Sequence, residues 1–333
     1  MSKLIIEWGF NMTSKHFAFQ DRAEETIVVG VHVTKWRAWS CAAVAALASG
    51  LAMAAAENCA PSATQTTTLP VRVSAPGLRV GIALSGGSMH GLAHIGVIEE
   101  LEARGLEVHV VAGTSVGALI GSLWASGLTG LEIEELGRRN NWQDAADFAA
   151  SWEGLFTSGR LGEQLRSAFR GRPIESWPRR FGAVATDLGN GRRRILMSGD
   201  GARAVQASSA IPVLFTPIVI NGERLADGGL VEPIPVGAAR ALGADYVIAV
   251  DVGYRPYEEA ASGLVQYAFQ SMHILINRLS EYELREADVA IRLDLHRQLM
   301  NCGGQALIAE GREAVRHAWP EISKSITLRA ARQ

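Results

Sequence analysis

Apolar and polar positions change period several times along the chain. From Leu78 onward, short apolar runs alternate with stretches that repeat every three to four residues. "LRVGIALSGG" reads as a buried strand running into glycines. In "LAHIGVIEELEARG", Leu92, Ile95, Ile98 and Leu101 share a helical face, and Gly105 is placed to end the helix. "LEVHVVAG" predicts the next strand and "SVGALIGSLWASG" the next helix. This strand-helix alternation predicts an α/β fold: a mainly parallel central sheet covered by helices. Further strands are expected in "RRFGAVATDL", "RRRILMSG", "ADYVIAVDV" and "DVAIRLDL". A long helix is expected from Gly263, with Leu264, Ala268, Met272, Leu275 and Leu279 on its apolar face, and a last helix from Gly304.

The first part of the chain has a different pattern. Lys35 and Arg37 precede the apolar, alanine-rich run Ala38–Ala60, with small residues in A-x-A order near Ala52–Ala56. Basic, apolar and small segments in that order predict a cleaved secretory signal peptide at residues 35–57. An uncleaved N-terminal membrane anchor is the alternative. The expected organisation is an N-terminal extension with signal peptide at 1–57, a polar linker at 58–75 and one α/β domain at 76–325. Export to a bacterial periplasm or cell surface is the corresponding expectation.

Composition narrows the function. The 333 residues are 48% hydrophobic and 20% charged, enough to build a sizeable core. A net charge of -2 argues against a nucleic-acid partner, which would favour a basic face. Three cysteines are too few for a disulfide framework, and no zinc spacing is present.

Three glycine-rich turns carry the candidate chemistry. Gly113-Thr114-Ser115-Val116-Gly117 fits G-x-S-x-G between a strand and a helix. A nucleophile on such a turn has a strained backbone, and the flanking glycines leave it room. Its place at a helix N-terminus favours developing negative charge. Taken alone, the pentapeptide also describes an ordinary helix-capping serine. The second turn is Gly86-Gly87-Ser88-Met89-His90-Gly91, whose successive amides can hold an anion. It has neither the order of a dinucleotide-binding loop nor the lysine of a Walker loop. The third is Asp227-Gly228-Gly229 after a short strand, where the carboxylate can accept a serine proton, or simply form a turn.

Together, the glycine loop, "GTSVGALIG", "ATDLGNG", "ASSAIPVLFTPI" and "DGGLVEPIPV" resemble the patatin-like phospholipases, or patatin-like acyl hydrolases, over roughly Val80–Val252. A bacterial member is expected. The resemblance implies a patatin-like α/β/α sandwich and a Ser-Asp dyad without histidine. Ser115 is then the nucleophile and Asp227 the general base, with the amides of Gly86, Gly87 and Ser88 as the oxyanion hole. The family's loop usually has a third glycine and an Arg or Lys where this chain has Ser88 and His90. The implied activity is hydrolysis of fatty-acyl esters of phospholipids or lysophospholipids, with transient membrane-surface contact. This acyl-transfer chemistry needs no metal and no cofactor. A non-catalytic lipid-binding protein and an acyltransferase using the same serine are the alternatives.

Other residues have blander readings. His273, His296 and His317 lie outside glycine loops, and His94 suits packing. Trp142, Phe148, Trp152, Phe156, Phe169 and Trp177 read as core packing rather than a cap. Arg192–Arg194 read as a solvated hairpin edge. Ser208 and Ser209 read as supporting turn residues, and Asp187 and Asp251 as structural strand-end carboxylates.

Overall fold

The computed structural model describes residues 17–20, 26–29, 77–139, 147–151, 154–253, 263–295 and 303–332. The expected signal peptide and linker, Trp142, Trp152 and His296 lie outside the described residues, as does the side chain of Phe148. Residues 1–55 form one unit, within which β1 (Phe17–Gln20) and β2 (Thr26–Val29) pair as an antiparallel hairpin.

The second unit, 56–333, is built on one sheet. Its parallel part is β3 (Val80–Leu84), β4 (Val110–Thr114), β7 (Arg180–Asp187), β11 (Tyr246–Asp251) and β12 (Val289–Arg292). In space the order is β12-β11-β3-β4-β7, all neighbours parallel. Every residue of β3, β4 and β11 is buried, as expected of strands covered on both faces. β8 (Arg193–Leu196), β9 (Ile218–Ile220) and β10 (Glu223–Asp227) extend the sheet in antiparallel fashion. A separate hairpin pairs β5 (Asp147–Ser151) with β6 (Gly154–Thr157).

The register along β7 sets the geometry of the molecule. Val110–Thr114 of β4 pair with Arg180–Val184, and Leu225–Asp227 of β10 pair with Asp187–Ala185. β8 pairs with Ala183–Thr186 and so spans the junction on the opposite edge. β4 and β10 therefore meet head to head on one edge of β7.

The helices are α1 (Ala93–Ala103), α2 (Val116–Ala125), α3 (Gly130–Arg139), α4 (Gly159–Ala168), α5 (Gly201–Ser208), α6 (Val236–Ala241), α7 (Leu264–Leu284) and α8 (Gly304–Ala330). α2 is almost wholly buried, which its small residues Ala118, Gly121, Ser122 and Ala125 permit. α1 and α8 pack at backbone distance: a Cβ on Gly96 would lie 1.8 Å from the Ile308 carbonyl oxygen. Arg312 to Glu99 (2.6 Å) and Arg316 to Glu100 (3.1 Å) tie the same pair. Phe169, Trp177 and Phe181 stack at 4.7 and 5.4 Å in the core, and Phe156 packs on Phe215. Arg193 and Arg194 are not a free cationic edge: they pair with Glu232, and with Asp187 and Glu223.

α7 departs from its amphipathic reading. Leu275 of the expected apolar face is 71% exposed, and the buried positions are Ser280, Glu283 and Leu284 near its C-terminal end.

Candidate active site

The turn after β4 is the sharpest feature of the sheet. Ser115 has φ 54 and ψ -124, a left-handed backbone that a serine adopts at a cost of about 1–3 kcal/mol. The flanking glycines follow from packing. A Cβ on Gly113 would lie 2.4 Å from the Gly117 carbonyl oxygen, and one on Gly117 would lie 2.1 Å from that of Leu84. Three hydrogen bonds fix the turn. The Ser115 amide donates to Ser208 Oγ at 2.9 Å, and that hydroxyl donates to the Val184 carbonyl at 2.5 Å. Thr114 Oγ1 donates to the Glu232 carbonyl at 2.7 Å.

Asp227 ends β10 directly opposite Ala185, one residue beyond the Val184 that faces Thr114. The register thus delivers Ser115 and Asp227 to one place, with the Ser115 side chain near enough to the carboxylate to lower its pKa. Gly229 N–H donates to Asp227 Oδ1 at 2.7 Å. Thr186 Oγ1 donates to the Asp227 carbonyl at 2.7 Å. Gly228 is needed because a Cβ there would meet the Val184 carbonyl oxygen at 2.2 Å. Ser115 and Asp227 are only 8% and 7% exposed. Burial pushes the Asp227 carboxyl up to about 6, against the restraint of the Gly229 hydrogen bond and the Ser115 side chain. No histidine bonds either side chain among the described residues.

The glycine loop follows β3, which pairs Leu84 with Gly113 and so lies beside the serine turn. A Cβ on Gly86 would sit 3.5 Å from Ser115 Cβ. One expectation is corrected here. The Gly86 amide donates to the Pro233 carbonyl at 3.0 Å, so it is already committed and is not a free donor. The amides of Gly87 and Ser88 have no backbone acceptor among the described residues. Ser88 opens a 3₁₀ turn (Ser88–Leu92) at φ 49, so the serine occupies a backbone conformation that suits glycine. Gly91 faces Val116, where a Cβ would come within 2.2 Å of a methyl.

Two histidines lie under this loop. His94 is fully buried, with Nε2 2.9 Å from the Ser85 carbonyl oxygen, and burial lowers it to about 4. It is a neutral packing group. His90 is also buried, its pKa lowered by desolvation against a hydrogen bond with the Val252 backbone. It supplies little positive charge near neutral pH.

The remaining candidates are supports. Asp187 accepts from Gly189 N–H, Asn190 and Arg194, closing the β7–β8 turn. Asp251 accepts from Gly253 N–H at the end of β11. His317 is exposed and lies 3.1 Å from Glu313, while burial lowers His273. Among the described residues, no group of three or more His, Cys, Asp or Glu is placed to hold a metal ion.

Residues 232–234, inside the "DGGLVEPIPV" block, join the parts of the site, a role that the block itself does not announce. Glu232 and Pro233 offer their carbonyls to Thr114 and Gly86, while Ile234 N–H donates to Glu283 Oε2 of α7 at 2.7 Å. Burial raises Glu283 to about 8, with nearby Glu232 adding to the rise. The Glu232 carboxyl is likewise raised by burial, and it accepts from Arg193 and Ala238 N–H.

Residues 82–240 match the family model described as patatin-like phospholipase. The chain is 34% identical over 183 residues to "Lysophospholipase NTE1" of Yarrowia lipolytica, covering 53% of this chain and 13% of that protein. It is 31% identical over 216 residues to "Patatin-like phospholipase domain-containing protein ZK370.4" of Caenorhabditis elegans, covering 62% of this chain and 16% of that one. The chain therefore spans under a fifth of the length of these curated relatives. They are fungal and nematode proteins, so they lend no support to a bacterial origin. Among solved structures, VipD from Legionella pneumophila aligns with a TM-score of 0.49 at 16% identity, over 74% of this chain and 68% of that chain.

Proposed function

We propose, from the match of residues 82–240 to the patatin-like phospholipase model together with the geometry of the site, that the chain is a serine acyl hydrolase acting through Ser115 and Asp227. The observation that carries this reading is the juxtaposition, set by the strand register, of a serine on a strained strand-to-helix turn and a buried carboxylate of raised pKa. An aspartate in water, with a pKa near 4, is a weak base for a hydroxyl. Its elevation to about 6 strengthens it while leaving it ionised at neutral pH.

The steps follow from the contacts. Asp227 takes the proton as Ser115 Oγ bonds to the acyl carbonyl carbon. Negative charge develops on the carbonyl oxygen, where the free amides of Gly87 and Ser88 and the N-terminus of α2 stabilise it. The C–O bond to the alcohol breaks, and the alcohol leaves with the proton held by Asp227. Water, deprotonated by Asp227, then attacks the acyl-serine, the Ser115 ester bond breaks, Asp227 returns the proton to Ser115 Oγ and the fatty acid is released. Each oxyanion donor in such sites is worth about 3–4 kcal/mol, so two amides suffice for substantial catalysis.

The proposed substrates are fatty-acyl esters of phospholipids or lysophospholipids, met at a lipid surface. The relatives' printed names, a lysophospholipase and a patatin-like phospholipase domain-containing protein, support that class. Ester hydrolysis across a lipid panel tests it, with Ser115→Ala and Asp227→Asn as controls. Release of fatty acid by the native chain alone supports the reading, and equal release by all three proteins contradicts it. We also propose export directed by residues 35–57, which N-terminal sequencing of the mature protein tests.

A second reading, a lipid-binding protein without catalysis, draws on the buried neutral His90 and the left-handed Ser88. Lipid binding without acyl release at any pH would favour it.

A further inference from the structure

α7 exposes apolar side chains beside the proposed dyad, and a groove runs between it and the turn after Asp227. The groove encloses about 500 Å³ and is lined by Gly229, Leu230, Met272, Ile276, Leu279 and Tyr282 among others. That volume falls within the roughly 300–1,000 Å³ of ordinary ligand pockets. Its walls are predominantly apolar, and exposed Leu275 and Tyr282 stand along it.

Its position relative to the chemistry is set by one residue. Gly229 lines the groove and also donates its amide to Asp227 Oδ1 at 2.7 Å. A Cβ built on Gly229 would lie 3.1 Å from Asp227 Oδ1 and 3.7 Å from Ile276 Cδ1. Only a bare glycine therefore separates the groove wall at Ile276 from the carboxylate.

We infer that the groove between Gly229–Leu230 and α7 receives the fatty-acyl chain of the substrate, with Ile276 and Leu279 setting the chain length it takes. The assignment of an acyl chain rests on the proposed esterase reading. Nearness to Asp227 selects this occupant: apart from Arg278 the lining side chains offer a headgroup little, whereas each buried methylene contributes about 0.8 kcal/mol. Large side chains at Ile276 or Leu279, both lining the groove, reduce the space it offers.

The test uses the full chain, Ile276→Trp, Leu279→Trp and the distant exposed control Leu328→Trp. Two readouts are taken: kcat/KM for palmitoyl and acetyl esters of one alcohol, and palmitate binding by calorimetry. The inference expects the palmitoyl-to-acetyl ratio to fall about tenfold or more in both groove variants but not in the control. It expects palmitate Kd to rise about tenfold in the same two variants, a loss of about 1.4 kcal/mol. Native-like ratios and affinities in both folded groove variants, with acetyl ester still hydrolysed, would overturn it. If the native chain hydrolyses no ester, the esterase reading fails separately, and palmitate binding alone then decides the groove: weakening in the groove variants supports it, no change overturns it. A second copy of the chain seated on α7 would show as a dimer in sedimentation that palmitate does not dissociate, and would also overturn it.

Discussion

Thr114 and Asp227 face consecutive residues, Val184 and Ala185, along one edge of β7. β4 arrives parallel to β7 and β10 arrives antiparallel, so their C-terminal ends meet. This head-to-head junction brings Ser115 beside the Asp227 carboxylate, and the side-chain hydrogen bonds of Thr114, Thr186 and Ser208 hold it closed.

Ser208 is the first test of that arrangement. It is fully buried, accepts from the Ser115 amide and donates to the Val184 carbonyl. Ser208→Ala leaves both groups without their partner, at an expected cost of about 1–3 kcal/mol in chemical denaturation. The loosened turn should lower kcat more than it raises KM. Native kinetics and stability in Ser208→Ala would show that the turn holds its shape without this bridge.

Asp227→Asn should separate stability from activity. The native carboxyl titrates near 6, against 3.8 for an ordinary aspartate. The folded state therefore keeps its proton while the unfolded state loses it. Stability falls as pH rises from about 4 to 6 and then levels off. The asparagine variant escapes this loss, so at pH 8 it should be about 1–3 kcal/mol more stable than the native chain. The gain should vanish below pH 4. Ester hydrolysis should meanwhile drop to background. Paired denaturation curves at the two pH values check the sign.

The glycines around the serine should differ sharply. A Cβ on Gly117 would collide with the Leu84 carbonyl at 2.1 Å, while one on Gly86 meets Ser115 Cβ at an ordinary 3.5 Å. Gly117→Ala should lose about 3 kcal/mol or more, because backbone atoms must move. Gly86→Ala should fold normally and show its effect in kcat/KM, since the added methyl crowds the reacting oxygen. Thermal melts of the two variants side by side give the comparison.

Much of this site was legible in the sequence. The period changes located every strand of the parallel sheet, and the glycine spacing around Ser115 and Asp227 marked turns whose packing excludes a Cβ. What stayed hidden was long-range hydrogen bonding. Nothing in the sequence says that the Gly86 amide is bound to Pro233, or that Glu283 on α7 anchors Ile234. The face of α7 was misjudged for a related reason. Periodicity shows that apolar residues share a side, but not whether protein covers that side.

Glu283 offers a prediction of its own. Burial first, then Glu232, raises it to about 8, so near pH 7 the folded state holds it mainly protonated. Its folded pKa lies above the usual glutamate value, so stability should fall as pH rises from about 4.5 to 8. Glu283→Gln keeps an oxygen for the Ile234 amide and should flatten that decline. Denaturation midpoints of both proteins at pH 5 and pH 9 measure the difference.

The central claim is tested most directly by a fluorophosphonate probe, which reacts with an activated serine. The account predicts one adduct, mapped by mass spectrometry to Ser115, absent in Ser115→Ala and strongly slowed in Asp227→Asn. Its rate should rise with pH through a midpoint near 6, where the carboxylate ionises. Folded native protein that takes up no probe at any pH, or an adduct on another serine that survives Ser115→Ala, would contradict it.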